Sequence, residues 1–437
     1  MVLIGDDNVS KKTNVSLRNA FIYQVFVRNY SKEGTFKEVQ KDLDRIKELG
    51  VDYIYLLPIH EIGEEQRKGE LGSPYAIKDY YSINHEYGRL EDFEALVEAV
   101  HDKGMKVMMD IVFNHTSPDS KLLKEHPEYF YKNEEGNFAN RVGDWWDITD
   151  FDYTKDKGLW RYLIDNLLYW TKKGVDGFRF DVASFLPLEF LEQAHEEVLE
   201  ENPDSLFLSE SVHGHFLRFI RNQGFECLSE SEIYQVFDMA YDYDVHDYFL
   251  EYVQGKISLN NYLKEVIRQD EVYPKNYVKM KNLENHDNLR LAGLVKGDPV
   301  KIDAWTSFLF FTKGATMIYA GQEFSAEHTP TLFDKDTVDW SGRDISLLIR
   351  KLSDLSHQEI FARGVYDVHL LDQDVICASY TYEDKELYGV FNVGHIKEDI
   401  SLPVDDGVYT NLLTSNTFEV KDGVLANTLE PVIFYKN

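Results

Sequence analysis

A formal net charge of −31 over 437 residues repels polyanions, which excludes nucleic acid and anionic membrane surfaces as partners and suits a neutral substrate. With 43% of its residues apolar the chain can bury one large core plus smaller ones, and no apolar run reaches the roughly 18 residues of a membrane span. The two cysteines, Cys227 and Cys377, stand far apart, so no disulfide framework is expected; the polar first residues, 1–14, lack the apolar stretch of a signal peptide, and a cytoplasmic protein is the expectation.

Residues 21–27 (FIYQVFV) read as a first strand, and 36–49 as a helix stopped by Gly50. A second strand, 53–57, ends at Pro58. A helix over 90–103 is stopped by Gly104, and 106–113 (KVMMDIVF) is the third strand. This alternation at βαβ spacing implies a parallel sheet. The stretch 114–157, rich in Tyr, Phe, Trp, Asn and Asp, is too long for an ordinary connection and reads as an inserted lid or small subdomain. Trp145, Trp146, Tyr129, Phe130 and Tyr131 either wall a cleft or, for most of them, pack the insertion onto the barrel. A helix over 159–173 leads to strand four (177–181), then a helix over 188–200 and strand five (205–210). Strands six, seven and eight are placed at 234–239, 278–282 and 315–320, so a (β/α)₈ barrel is the natural closure. From about Tyr366 short alternating strands at 375–382, 387–393, 409–414 and 432–435 read as a β-sandwich. The expected division is a TIM barrel over 1–113 and 158–365, an insertion over 114–157 and an all-β C-terminal domain over 366–437.

Three acids fall at strand ends: Asp181 after strand four, Glu210 after strand five and Asp287 just past strand seven. Each alone is as readily a helix cap or half of an ion pair. Together at the mouth of one barrel they suit glycoside cleavage, which needs one carboxylate nucleophile and one protonated acid. Arg179 shares a strand face with Asp181 and should keep it ionised. Glu210 follows Leu206, Phe207 and Leu208, and burial there should raise its pKa.

Four ordered stretches, DIVFNH (110–115), GFRFD (177–181), LSES (208–211) and ENHDN (284–288), resemble the motifs of the α-amylase family, glycoside hydrolase family 13, and the resemblance covers the whole chain. It implies a retaining α-glucoside hydrolase with Asp181 as nucleophile, Glu210 as general acid/base and Asp287 as transition-state stabiliser. It further implies that His115 and His286 bind the sugar at the scissile bond, that Asp110 supports the site and that Tyr75, in SPYAIKDYY, stacks under the sugar. Taken singly, either histidine reads as a satisfied structural one. The nucleophile is followed by Val182-Ala183-Ser184-Phe185, without the Lys-His pair of calcium-dependent members, and Ser31-Lys32-Glu33-Gly34 replaces an Asp-rich calcium loop. Asn114 matches a family calcium position, but calcium needs six to eight oxygen ligands, and no such set is readable, so no cofactor or metal is expected. No extra domain is expected ahead of the first strand, which sets aside a neopullulanase-like architecture. The expected substrate is a maltodextrin-like α-glucan oligosaccharide. A glucanotransferase or sugar isomerase on the same site is the alternative; a non-catalytic scaffold is disfavoured by the intact acids.

Overall fold

The computed structural model describes residues 13–436; the start of the polar N-terminal stretch, residues 1–12, lies outside the described residues. Eight parallel strands close into a barrel: β1 (Phe21–Val25), β2 (Tyr53–Leu56), β3 (Lys106–Ile111), β4 (Gly177–Phe180), β5 (Leu206–Ser209), β6 (Met239–Tyr241), β7 (Lys279–Lys281) and β8 (Ala315–Tyr319). Sequence neighbours pair around the ring, and β8 returns to β1 with Phe21 opposite Thr316.

The two-residue period of the strands sorts the side chains. Ile22, Tyr55, Met108, Leu208, Tyr241, Met280 and Met317 fill the barrel interior. On the outward strand faces, Phe21, Tyr23, Ile54, Val107, Phe178, Phe180 and Phe207 meet the surrounding helices in the main core. On β4 this alternation leaves Arg179 pointing inward, fully buried, between two outward phenylalanines.

Two elements differ from the sequence expectation. Strand six lies at Met239–Tyr241, not 234–239, because Glu230–Ile233 is a short helix. Ser229 accepts the N–H of Glu232 while Glu232 reaches back to the Ser229 N–H, a capping box that starts a helix where a strand was expected. The helix expected over 36–49 is two, Phe36–Lys41 and Leu43–Glu48, broken at Asp42, whose φ and ψ of −97° and 1° leave the helical region.

Beyond the barrel, Val365–His369, Ile376–Tyr382, Lys385–Phe391 and Val432–Lys436 form one antiparallel sheet, and four further strands form a second. Cys377, Val390, Tyr409, Val420 and Phe434 fill the space between the two. Ile376, Ala378 and Tyr380, on the other face of the same strand as Cys377, join the main core. The junction is aromatic: the Phe311 ring centroid lies 5.4 Å from Phe391 and 5.5 Å from Tyr380. Gly389 makes this approach possible, since a Cβ there would stand 3.0 Å from the Phe311 ring. Among the described residues no helix is long and apolar enough to cross a membrane. Both cysteines are buried as free thiols, and burial pushes each up to about 12.

Candidate active site

The inward side chains of β3, β4 and β5 meet at the C-terminal mouth of the barrel. The Arg179 guanidinium is their centre. Its Nη1 donates to Asp110 Oδ1 at 2.8 Å and to Asp181 Oδ1 at 3.0 Å, and its Nη2 lies 2.9 Å from Glu210 Oε1. Asp110 is fully enclosed and also accepts the Tyr55 hydroxyl at 2.7 Å and the Tyr75 hydroxyl at 2.8 Å. It therefore acts behind the cavity wall, through Arg179 and Tyr75, and does not reach a substrate itself.

Asp181 is reached by a backbone step beyond β4, and the next residue turns the chain sharply. Val182 has φ of 45°, a left-handed value that is an outlier for a β-branched residue. The turn aims the Val182 N–H at Glu210 Oε2, 2.9 Å away. Glu210 is thus gripped on one oxygen by a cation and on the other by a backbone donor. The apolar enclosure expected from Leu206 to Leu208 is not its whole environment.

Burial and the facing Glu210 carboxylate push Asp181 well above the usual carboxylate range, and Arg179, pulling the other way, does not offset them. Arg179 pulls Asp181 toward the ionised form, as expected from the sequence, but burial and Glu210 outweigh that pull. The two carboxyls share one guanidinium.

Across the cavity, Asp287 is the exposed member of the acid set, with 46% of its side chain accessible. Burial of its surroundings raises its pKa, but the charge and hydrogen bond of His286 outweigh this and hold the carboxyl below its usual value. His286 Nε2 lies 3.0 Å from Asp287 Oδ2 and 2.6 Å from the Tyr75 hydroxyl, and its Nδ1 faces the Gln24 amide at 3.1 Å. Its ring stacks on Tyr75 at 5.4 Å. His115, buried beside Trp145, has its pKa lowered to about 3 by burial, so it is a neutral hydrogen-bonding group.

These groups surround a cavity of about 520 Å³, within the usual range of small-molecule sites. Tyr75, His115, Asp181, Glu210 and Asp287 line it; Arg179, Asp110 and His286 stand behind. A second cavity, about 590 Å³, lies beside Trp305 and lacks paired acids. The sequence reading missed several lining residues. His213 lies flat on Tyr243 at 4.7 Å and its Nδ1 meets Asp247 Oδ2 at 3.0 Å. Burial lowers the His213 pKa, but the Asp247 bond and charge and the charge of Glu210 raise it by more. Lys68, Asp147 and Phe333 also line the cavity. His213, Lys68, Asp147 and Phe333 sit on loops, where no periodicity marks an inward side chain; only the position of His213 three residues after Glu210 hinted at it.

Asn114, at the family calcium position, lies beside the Asp150–Arg141 pair. Asp150 is buried, and its Oδ2 accepts the Arg141 N–H at 2.9 Å with the guanidinium at 3.3 Å. Its Oδ1 faces the Asn114 amide at 3.3 Å, and Arg141 also donates to the Phe151 carbonyl at 2.6 Å. A cationic side chain already occupies the face a metal would need, and among the described residues no cluster of three His, Cys, Asp or Glu is arranged to hold one.

The α-amylase catalytic-domain model matches residues 21–153 and 141–342, and the model of the bacterial α-amylase C-terminal domain matches residues 367–434. An α-1,4-glucan:maltose-1-phosphate maltosyltransferase from Picrophilus torridus is 32% identical over 255 residues, 52% of this chain and 40% of that protein. An intracellular maltogenic amylase from Bacillus subtilis is 26% identical over 400 residues, 84% of this chain and 63% of that protein. The chain thus spans less than two thirds of either relative's length. Among solved structures, an α-amylase from Lactobacillus plantarum superposes with a TM-score of 0.93 at 45% identity, covering 97% of this chain and all of that one. A noncanonic maltogenic α-amylase from Thermotoga neapolitana gives 0.85 at 33% identity, covering 96% and 99%.

Proposed function

The chain belongs to the α-amylase family of glycoside hydrolases, and from that premise we propose that it is a retaining α-glucoside hydrolase acting on maltodextrin-like oligosaccharides by double displacement. The observation that carries the reading is the single guanidinium edge of Arg179 holding both Asp181 and Glu210. A retaining pair needs its carboxyls close together, roughly 5–5.5 Å apart, and two acids on adjacent strands that share one arginine support that arrangement.

In this scheme the Asp181 carboxylate attacks the anomeric carbon while Glu210 gives its proton to the glycosidic oxygen. The glycosyl-enzyme is then hydrolysed by a water from which Glu210 recovers the proton. Asp287 accepts hydrogen bonds from sugar hydroxyls that strengthen as positive charge develops, with His286 fixing its orientation. Tyr75 supplies a flat face under the ring, and neutral His115 a hydrogen bond. His213, held by Asp247 on the Glu210 side, faces the departing sugar. A cytoplasmic location is supported by the free thiols and by the intracellular relative in B. subtilis.

A second reading, transfer of the glycosyl group to another sugar, is favoured by the likeness to maltosyltransferases over 52% of the chain. Product analysis on maltotriose, with and without added acceptor sugars, separates the two. Hydrolysis predicts maltose and glucose at all early times; transfer predicts products longer than the substrate. Asp181→Asn should lower kcat by roughly 10⁴-fold or more while maltooligosaccharide binding persists, and unchanged turnover would remove Asp181 from the mechanism.

A further inference from the structure

In a ring of eight strands, β5, which carries Glu210, stands opposite β1. The loops that follow β2 and β8 flank β1, and they are sewn together. The Leu71 N–H donates to the Phe333 carbonyl at 3.0 Å and the Glu70 N–H to Asp334 Oδ1 at 2.7 Å. Arg28 Nη1 donates to the carbonyls of Gly72 and Leu332 at 2.9 and 2.8 Å. From this wall Lys68 reaches to the insertion, where its Nζ meets Asp147 Oδ1 at 2.9 Å. The ammonium lies 4.6 Å from the Trp146 ring centre and 5.9 Å from that of Phe333. Asp147 is buried and Lys68 mostly so, and a cation between two rings and a buried carboxylate is poorly screened, unlike an exposed pair. Lys68, Asp147 and Phe333 line the same cavity as Asp181 and Glu210.

Resting on the glycosidase reading, this geometry sets a direction. Glu210 protonates the glycosidic oxygen, so the leaving sugar lies on the β5 side. The glycone, which carries the non-reducing end of the chain, then points toward β1. We propose that the Lys68–Asp147 bridge is a specificity-determining barrier that closes the glycone end of the cavity. Substrate chains are then accepted from their non-reducing ends and not across their interiors.

The test compares p-nitrophenyl maltoheptaoside with the same compound carrying a 4,6-ethylidene bridge on its non-reducing terminal glucose. The wild-type enzyme should turn over the blocked compound at least about 10-fold more slowly. Lys68→Ala should bring the ratio toward one, and Lys68→Met, which keeps a long unbranched side chain but drops the ion pair, should move it the same way. Equal rates in the wild type, or an unchanged ratio in both variants, would overturn the barrier. If the wild type cleaves neither compound, the hydrolase reading falls, and calorimetric binding to the full-length protein decides the barrier alone. A blocked compound bound about 10-fold more weakly supports it, and equal binding overturns it.

Discussion

Arg179 faces three carboxylates at once, and the site's chemistry follows from that sharing. Removing it would leave buried acids unpaired, a change that costs about 3–5 kcal/mol in comparable settings. Lysine is no substitute, since a point ammonium cannot span both Asp181 and Glu210. The sharing also sets a pH dependence. Double displacement requires one proton on the Asp181–Glu210 pair. Adding a second proton neutralises the nucleophile at low pH, and losing the first removes the acid at high pH, so kcat/KM should be bell-shaped for maltooligosaccharides. Glu210→Ala removes the second limb. On an aryl α-glucoside, whose leaving group needs little proton donation, its rate of glycosyl-enzyme formation should rise in one step as Asp181 ionises. That step should lie near the acid limb of the wild type, because Glu210 is protonated on that limb and carries no charge to raise Asp181. The glycosyl-enzyme should then accumulate as a burst, and azide, needing no general base, should release it as the α-glycosyl azide. A β-azide would exclude double displacement, and full activity of the variant on maltooligosaccharides would exclude Glu210. The shared face of Arg179 and Asp181 was legible from the strand period alone. The upward shift of Asp181 was not, because it depends on which strands pair and what they enclose.

At the scale of elements, the insertion shows how a local sequence departure is compensated. Arg141 places a guanidinium against buried Asp150, whose carboxyl burial pushes up to about 6 even so. The Asn114 amide completes the arrangement. Because a side chain supplies the positive charge, activity should survive prolonged incubation with EDTA. A loss restored specifically by calcium would show that Asn114 and Asp150 take a metal in solution. The aromatic residues of the insertion divide. Phe130 packs against Phe151 at 4.9 Å in the core, while Trp145 reaches the cavity and Trp146 stays 59% exposed over Lys68. Composition could not divide them, since a ring serves a core and a cleft equally well. Strand six shows the reverse case. The capping box at Ser229 and Glu232 was readable in the sequence, and its signal is a helix start. The alternating apolar residues that follow it, Tyr234 and Val236, are buried without belonging to a strand.

For the whole molecule, the eight-strand closure was legible by counting alternating elements, since a parallel sheet with right-handed crossovers has few ways to end. Which loops face one another across the mouth was not, because that depends on ring position and not on separation along the chain; Arg28 and Leu332 meet although 304 residues apart. The same packing that closes the barrel and the sandwich seals both sulfurs, and a thiol held up to about 12 is almost entirely protonated near neutrality. A disulfide-exchange reagent should therefore count no thiols in the folded enzyme and two after denaturation; rapid modification of the native protein would show that one of the two sites opens. The practical result is a ready-made blank for labelling chemistry. A cysteine introduced at Trp146, on the exposed rim of the cleft, would be the sole addressable sulfur, and a fluorophore attached there could follow the arrival of a glucan chain in real time without first stripping the native cysteines from the protein.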